Sequence, residues 1–199
     1  MPGPVTLLQL AGASPVPARL SQSVLVVIDA QGEYLTGALP LDGIEAALER
    51  LAQLIARARH VGAPVMHIQH RGSPGGLFDT DGPGGAILPQ AAPAPGELVI
   101  GKRLPNAFAG TDLTAQLAQL ERPPLVLAGF MTHMCVSSTA RAALDLGLSV
   151  TIAADTTATR ALPGAGGGPV VSAASLQAAE LAALADRFAK VVAAEDIPD

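Results

Sequence analysis

The chain has 199 residues, which is enough for one domain with a sizeable core and short for two ordinary domains. Residues 1–199 are therefore predicted to form a single domain. A formal net charge of −5 at pH 7 argues against nucleic acid or an anionic membrane as the main partner, and it favours a small-molecule substrate. One cysteine excludes an internal disulfide, and the N-terminus lacks a basic segment followed by an apolar core, so a cytoplasmic location is expected.

Residues 1–20 are rich in Pro, Gly and Ala without a clear period and are predicted to form an irregular N-terminal arm. Beyond the arm, short apolar runs typical of buried strands alternate with segments whose apolar residues recur at helical spacing. Strands are predicted at residues 24–28, 65–69, 97–101, 125–128, 149–153 and 190–193. Helices are predicted at residues 41–61, 111–120, 137–146 and 172–188. This alternation predicts an α/β fold, namely a three-layer α/β/α sandwich around a Rossmann-like, mainly parallel six-stranded sheet.

Two loops are long enough to shape a site. Residues 71–85 are rich in Gly, Pro and Asp, and loops of this length inside a compact domain are often functional. Residues 155–169 form a Thr-, Gly- and Pro-rich stretch that is predicted to be mobile. We expect the loops at residues 71–95 and 155–169 to determine which substrate is accepted.

The stretch at residues 129–136, GFMTHMCV, lies between a predicted strand and a predicted helix and contains the chain's only cysteine. Thr132 has the side chain of an N-cap, which would place Cys135 in the first helical turn. Free backbone N–H groups and the helix dipole favour a thiolate there. Cys135 is therefore a candidate nucleophile.

Two further reactive side chains end or follow predicted strands. Asp29 comes directly after the first strand, and Lys102 follows the third. Because parallel strands end at the same edge of a sheet, Asp29, Lys102 and Cys135 are predicted to meet in one pocket. The carboxylate can accept the thiol proton and later deliver it to a leaving amine, while the ammonium group offsets the negative charge.

These segments resemble a known family. Residues 24–34, residues 102–113 (KRLPNAFAGTDL) and residues 129–150 are similar to the isochorismatase-like cysteine hydrolases, and the similarity extends from about residue 20 to residue 192. Members have a six-stranded parallel sheet, and the amidases among them use an Asp-Lys-Cys triad. The resemblance implies an acid/base role for Asp29, a supporting role for Lys102 and nucleophilic attack by Cys135. It also implies a homo-oligomer, either a dimer or a tetramer.

The resemblance further implies a cis peptide bond between Phe130 and Met131, with the N–H groups of Met131 and Cys135 forming an oxyanion hole. Nicotinamidases of the family carry an Asp-x-His metal motif after the second strand. The corresponding residues here, 65–71 (VMHIQHR), lack that motif, so neither a metal nor another cofactor is predicted. The candidate substrate-binding residues are Gln31, Tyr34, His70, Phe108, Phe130 and His133.

The presence of Cys135 favours hydrolysis of an amide, ureide or lactam C–N bond through a thioester. Two alternatives remain open at this point. One is vinyl-ether hydrolysis of the isochorismatase type, with Asp29 as proton donor. The other is a redox-responsive or ligand-binding protein that keeps the fold without hydrolytic activity.

Overall fold

The computed structural model describes residues 3–121 and 123–199, so the first two residues of the predicted arm lie outside it. One sheet contains six strands, and every strand pair in it is parallel. Along the sheet the order is β3-β2-β1-β4-β5-β6. The strands are β1 (Val24–Ile28), β2 (Val65–His70), β3 (Leu98–Lys102), β4 (Leu125–Phe130), β5 (Val150–Ala158) and β6 (Lys190–Val192).

Helices cover both faces of this sheet. They are α1 (Leu7–Leu10), α2 (Ile44–His60), α3 (Leu113–Gln119), α4 (Ser137–Asp145) and α5 (Ala173–Arg187). Every residue of β1 is buried, and its side chains alternate between two cores. Leu25 and Val27 pack in the core that α2 lines, whereas Val24, Val26 and Ile28 pack in the core that α3, α4 and α5 line. The predicted three-layer fold is therefore confirmed.

Most predicted boundaries differ from the observed ones by one to three residues, and Lys102 is the last residue of β3 instead of following it; three larger differences affect β4, β5 and the N-terminal arm. Strand β4 extends two residues beyond residue 128, and β5 continues to Ala158, so the first part of the stretch predicted to be mobile is strand. A register shift between Leu127 and Gly129 lets β5 resume pairing with β4 further along. The predicted irregular arm contains α1, which begins at a Thr6–Gln9 capping box and contacts α5. A local cap of this kind carries no hydrophobic period, so the pattern did not reveal it.

No helix in the described part of the chain combines the length and the apolar character needed to cross a bilayer.

Candidate active site

Three strand ends bring Asp29, Lys102 and Cys135 together. β1 pairs with β4, but β2 separates β1 from β3. The ends of β1 and β3 therefore lie two strand spacings, about 10 Å, apart, and the side chains of Asp29 and Lys102 together bridge this gap. Its Nζ atom lies 2.7 Å from Asp29 Oδ2 and 3.3 Å from Cys135 Sγ. All three side chains are buried.

The backbone at Asp29 adopts an unusual conformation. Its φ of 49° lies in the left-handed region, which residues other than Gly rarely adopt. The N–H of Asp29 still donates to the carbonyl of Ile68 at 2.9 Å, so the turn begins only after the last pairing of β1 with β2. Strained backbone of this kind is often found at functional sites.

A close approach between two strands requires Gly129. Its φ is 107°, and a Cβ atom added there would lie 2.1 Å from the carbonyl oxygen of Ile28. Only a glycine allows β4 to approach β1 this closely at the edge where Asp29 follows. The peptide bond between Phe130 and Met131 is cis, as the resemblance to the isochorismatase-like hydrolases implies.

The nucleophile turn differs from the predicted one. Thr132–Val136 form a π-helical turn that precedes α4, and Cys135 is its fourth residue. The predicted N-cap role of Thr132 is wrong, because its hydroxyl donates to the carbonyl of Ala158 at 3.1 Å and thereby ties the turn to β5. Met131 occupies the N-cap position without a side-chain cap. The oxyanion hole formed by the N–H groups of Met131 and Cys135 stays a prediction.

Burial dominates the electrostatics of the site. Burial first, and then the charge of the adjacent Asp29 carboxylate, raise the pKa of Cys135 to about 12, and Lys102 only partly offsets both effects. Burial also raises the pKa of Asp29, again against the opposing charge of Lys102. Burial therefore opposes the thiolate that the helix end and the ammonium group favour, and it makes the Asp29 carboxyl group more basic.

His70 joins this group at the end of β2. Its Nδ1 atom lies 3.1 Å from Lys102 Nζ. Burial first, and then the charges of Lys102 and Arg103, lower the pKa of His70 to about 4. The ring is therefore neutral at pH 7, and with an ammonium group beside Nδ1 we assign the ring proton to Nε2. Its polar contact in the structure is with Lys102, so a substrate contact through Nε2 stays a prediction.

An aromatic wall borders the charged residues. Tyr34 is 2% exposed, and its ring centroid lies 5.1 Å from that of Phe78 and 6.1 Å from that of Phe130. Phe78 also lies 5.0 Å from the His70 ring, so it packs between two of the predicted substrate-binding residues. The sequence analysis missed Phe78 because it stands in a loop without hydrophobic periodicity. The only signal was that it is the single aromatic residue of that loop.

The side chain of Gln31 fastens the loop that carries Phe78. Its Nε2 atom donates to the carbonyl oxygens of His70 at 2.9 Å and Gly85 at 2.8 Å. Its Oε1 atom accepts from the N–H of His70 at 2.8 Å. Both amide hydrogens are therefore bonded to backbone. The contacts made by Gln31 hold the loop against the ends of β1 and β2, and the predicted contact of Gln31 with substrate stays a prediction.

The two remaining candidates lie near the nucleophile turn. Phe108 is partly buried against the core cluster that includes Cys135 and Val136. His133 is half-buried, and its Nδ1 atom lies 2.5 Å from Thr159 Oγ1. Burial lowers the pKa of His133, so the ring is neutral at pH 7. Neither residue contacts the Asp29, Lys102 or Cys135 side chains through a hydrogen bond in the described structure.

Across residues 3–121 and 123–199, no three His, Cys, Asp or Glu side chains converge in an arrangement that could hold a metal ion. His67, the other histidine of β2, is buried, and its Nε2 atom lies 2.8 Å from Glu97 Oε2. Arg59 contacts the same carboxylate at 2.8 Å. This cluster joins α2, β2 and the start of β3, so its role is structural.

Comparison with known proteins agrees with this geometry. A family model described as the Isochorismatase domain matches residues 23–196. The chain belongs to the isochorismatase family. The crystal structure of an isochorismatase from Pseudomonas putida KT2440 superposes with a TM-score of 0.93, at 42% identity, over 98% of this chain and 100% of that chain. The fold of this isochorismatase-family hydrolase is thus shared over nearly its whole length.

Two curated relatives cover most of this isochorismatase-family chain. A secreted isochorismatase effector from Verticillium dahliae is 38% identical over 189 residues, which are 94% of this chain and 96% of that protein. A streptothricin hydrolase from Streptomyces noursei is 32% identical over 201 residues, which are 98% of this chain and 79% of that protein. The relatives also include amidohydrolases. One of them, a maleamate amidohydrolase from Pseudomonas putida, is 32% identical over 140 residues, which are 62% of this chain and 66% of that protein.

Proposed function

We propose that this chain is a metal-independent cysteine hydrolase that cleaves the C–N bond of a small amide, ureide or lactam through a thioester on Cys135. One observation carries the proposal. A single buried ammonium group, Lys102 Nζ, lies 2.7 Å from a carboxylate oxygen of Asp29 and 3.3 Å from Cys135 Sγ. The relative named as a maleamate amidohydrolase supports C–N bond cleavage as the reaction class.

The first half of the reaction forms the thioester. Asp29 accepts the thiol proton as Cys135 Sγ attacks the carbonyl carbon of the substrate. The N–H groups of Met131 and Cys135 stabilise the oxyanion of the tetrahedral intermediate, and each such donor contributes about 3 kcal/mol. Asp29 then protonates the departing nitrogen, the C–N bond breaks, and the acyl group remains on sulfur.

The second half regenerates the enzyme. Asp29 removes a proton from water, which attacks the thioester carbonyl and releases a carboxylic acid and the free thiol. Lys102 contacts both Asp29 and Cys135, so it stabilises negative charge on oxygen before proton transfer and on sulfur after it. The balance is one amide and one water converted to one acid and one amine.

A panel of ureides, lactams and simple amides, nicotinamide included, tests this proposal. Wild type should turn over at least one member, and mass spectrometry of the quenched reaction should show an acyl adduct on Cys135. Cys135→Ala should abolish turnover without changing the fold. Met134→Ala is the matched control, because Met134 is the exposed neighbour of the nucleophile and should retain activity. Full activity of Cys135→Ala on a verified substrate would contradict the mechanism.

A second candidate is vinyl-ether hydrolysis of the isochorismatase type, and the observation that favours it concerns Asp29. Burial raises the pKa of Asp29, which suits a carboxyl group that donates a proton to a vinyl ether. This reaction needs no thiolate, so Cys135→Ala should remain active while Asp29→Asn should not. Loss of activity in both variants favours the thioester route.

A further inference from the structure

The ammonium group of Lys102 has a third neighbour besides Asp29 and Cys135, namely the ring of His70. His70 and Lys102 are paired in the parallel register of β2 and β3, so their side chains leave the same face of the sheet about 4.8 Å apart. The Nδ1 atom of His70 lies 3.1 Å from Lys102 Nζ. Because β2 lies between β3 and β1, His70 stands on the strand that separates the two partners of the buried ion pair.

Each N–H donor of this ammonium group has an acceptor of its own. An ammonium group carries three donors, and the three neighbours are Asp29 Oδ2 at 2.7 Å, His70 Nδ1 at 3.1 Å and Cys135 Sγ at 3.3 Å. Three contacts fix the rotation of the group about its last C–N bond. Lys102 is buried, so without the acceptor on His70 one donor would lack a partner. The ammonium group would then gain by turning away from Asp29 or Cys135 towards another acceptor.

The ring of His70 is itself held in place by the protein. The side chain of Gln31 bonds both the N–H of His70, at 2.8 Å, and its carbonyl, at 2.9 Å. The ring of Phe78 packs edge-on against the imidazole with the two centroids 5.0 Å apart. Burial first, and then the charge of Lys102, lower the pKa of His70 to about 4, so at pH 7 the ring is neutral and Nδ1 can accept. The acceptor is therefore in place before any substrate binds.

We propose that His70 is a positioning residue, which through Nδ1 holds the Lys102 ammonium group in the orientation that serves both Asp29 and Cys135. This role differs from the substrate contact predicted for His70, which would use Nε2. The inference rests on the proposed function for the part that Lys102 plays in the reaction. The contact also acts on the resting thiol of Cys135, so it can be measured without turnover.

Two amide substitutions separate the roles of the two ring nitrogens. His70→Asn places an amide oxygen where Nδ1 stands, His70→Gln places the amide where Nε2 stands, and His70→Leu removes both polar atoms. If His70 acts on Lys102, His70→Asn should perform better than His70→Gln and His70→Leu. His60→Leu is the matched control, because His60 is exposed in the last turn of α2.

Alkylation of Cys135 by iodoacetamide at a fixed pH tests the contact in the resting protein. Below the thiol pKa the rate follows the thiolate fraction, so it falls tenfold for each unit by which that pKa rises. His70→Leu and His70→Gln should slow alkylation about tenfold, as expected for the partial loss of contact with a charged group. His70→Asn should recover part of the rate, and His60→Leu should behave as wild type. An unchanged rate in His70→Leu would overturn the inference.

The same measurement in a Lys102→Met background shows whether the effect passes through the ammonium group. There the substitutions of His70 should leave the alkylation rate unchanged, whereas altered access to the thiol would change the rate in both backgrounds. An equal effect with and without Lys102 would overturn the inference. Thermal unfolding identifies a temperature at which the variants are folded. If Lys102→Met does not fold, the order of His70→Asn and His70→Gln decides alone.

Turnover provides the second measurement. On an amide that wild type hydrolyses, His70→Leu and His70→Gln should lower kcat about 10- to 100-fold and change KM little, and His70→Asn should recover part of kcat. A raised KM with unchanged kcat, or higher activity in His70→Gln than in His70→Asn, would overturn the inference in favour of a substrate contact. Equal losses in all three variants would also overturn it. Turnover that survives Cys135→Ala would instead refute the proposed function, and the alkylation rates would still decide the role of His70.

Discussion

Replacing Lys102 with Met isolates the charge that holds the site together. Methionine has a similar unbranched length and is tolerated in cores, so the main loss is the ammonium group 2.7 Å from Asp29. Both side chains are fully buried in the pair. Removing one partner of a buried ion pair leaves the other uncompensated, and we expect Lys102→Met to lose about 3 to 5 kcal/mol of unfolding free energy at pH 7.

The size of this loss should depend on pH. Burial already raises the pKa of Asp29, and loss of Lys102 must raise it further. A carboxyl group whose pKa is higher folded than unfolded loses stability as the pH rises from the unfolded pKa, near 3.9, to the folded one. Relative to wild type, the penalty therefore grows by about 1.4 kcal/mol per pH unit between the folded pKa of Asp29 in wild type and the higher one in the variant, and it is absent below about pH 4.

Urea unfolding of wild type, Lys102→Met, Asp29→Asn and the double variant, at about pH 4 and pH 7, measures this effect. The double variant should be more stable at pH 7 than Lys102→Met, because the uncompensated charge is gone. Lys190→Met is the matched control, since Lys190 is the chain's other lysine and its Nζ atom donates to the carbonyl of Val16, away from the site. An equal loss at both pH values, or a double variant no more stable than Lys102→Met, would refute the reasoning.

Three further predictions follow from the buried groups. Because the pKa of Cys135 is raised to about 12, its alkylation by iodoacetamide should accelerate steadily from about pH 6 to pH 10. A plateau near neutral pH would contradict this. Gly129→Ala should cost more than about 3 kcal/mol, since the new Cβ would lie 2.1 Å from the Ile28 carbonyl oxygen, and an unchanged melting temperature would contradict it. The hydrogen bond from Arg59 is the largest cause that lowers the pKa of Glu97, to about 2. That stabilisation is present above the unfolded pKa and is lost as the pH falls, so Glu97→Gln should cost about 1 kcal/mol at pH 7 and nothing near pH 2 in urea unfolding.

The fold followed from patterns that are local in sequence. The continuous apolar run of β1 predicts a strand because both faces of a central parallel strand are buried. The extension of β5 to Ala158 could not be predicted from the sequence, since residues 155–158 are Asp, Thr, Thr and Ala and do not form an apolar run. That stretch is strand because β4 offers Gly129 and Phe130 as pairing partners after the register shift. Pairing supplied by a distant strand leaves no periodic signal in the paired segment.

Part of the site could also be predicted from the strand pattern. Asp29 and Lys102 stand where strands end, and strand ends of a parallel sheet meet at one edge. Phe78 was missed because its place between Tyr34 and His70 depends on how the loop is fastened by Gln31. Fastening of this kind joins residues more than fifty positions apart, and no local pattern encodes it.

The sequence by itself determined which side chains would stand at the reactive edge of the sheet. The spacing of its apolar residues shows the order of strands and helices, and that order shows where each strand ends. Only the tertiary structure decided their state. Packing from several segments removes water from Cys135 and raises the pKa of its thiol, and that desolvation exceeds the effect of the nearby charge of Lys102. Solvation and pairing are sums over distant contacts, and they exist only once the chain has folded.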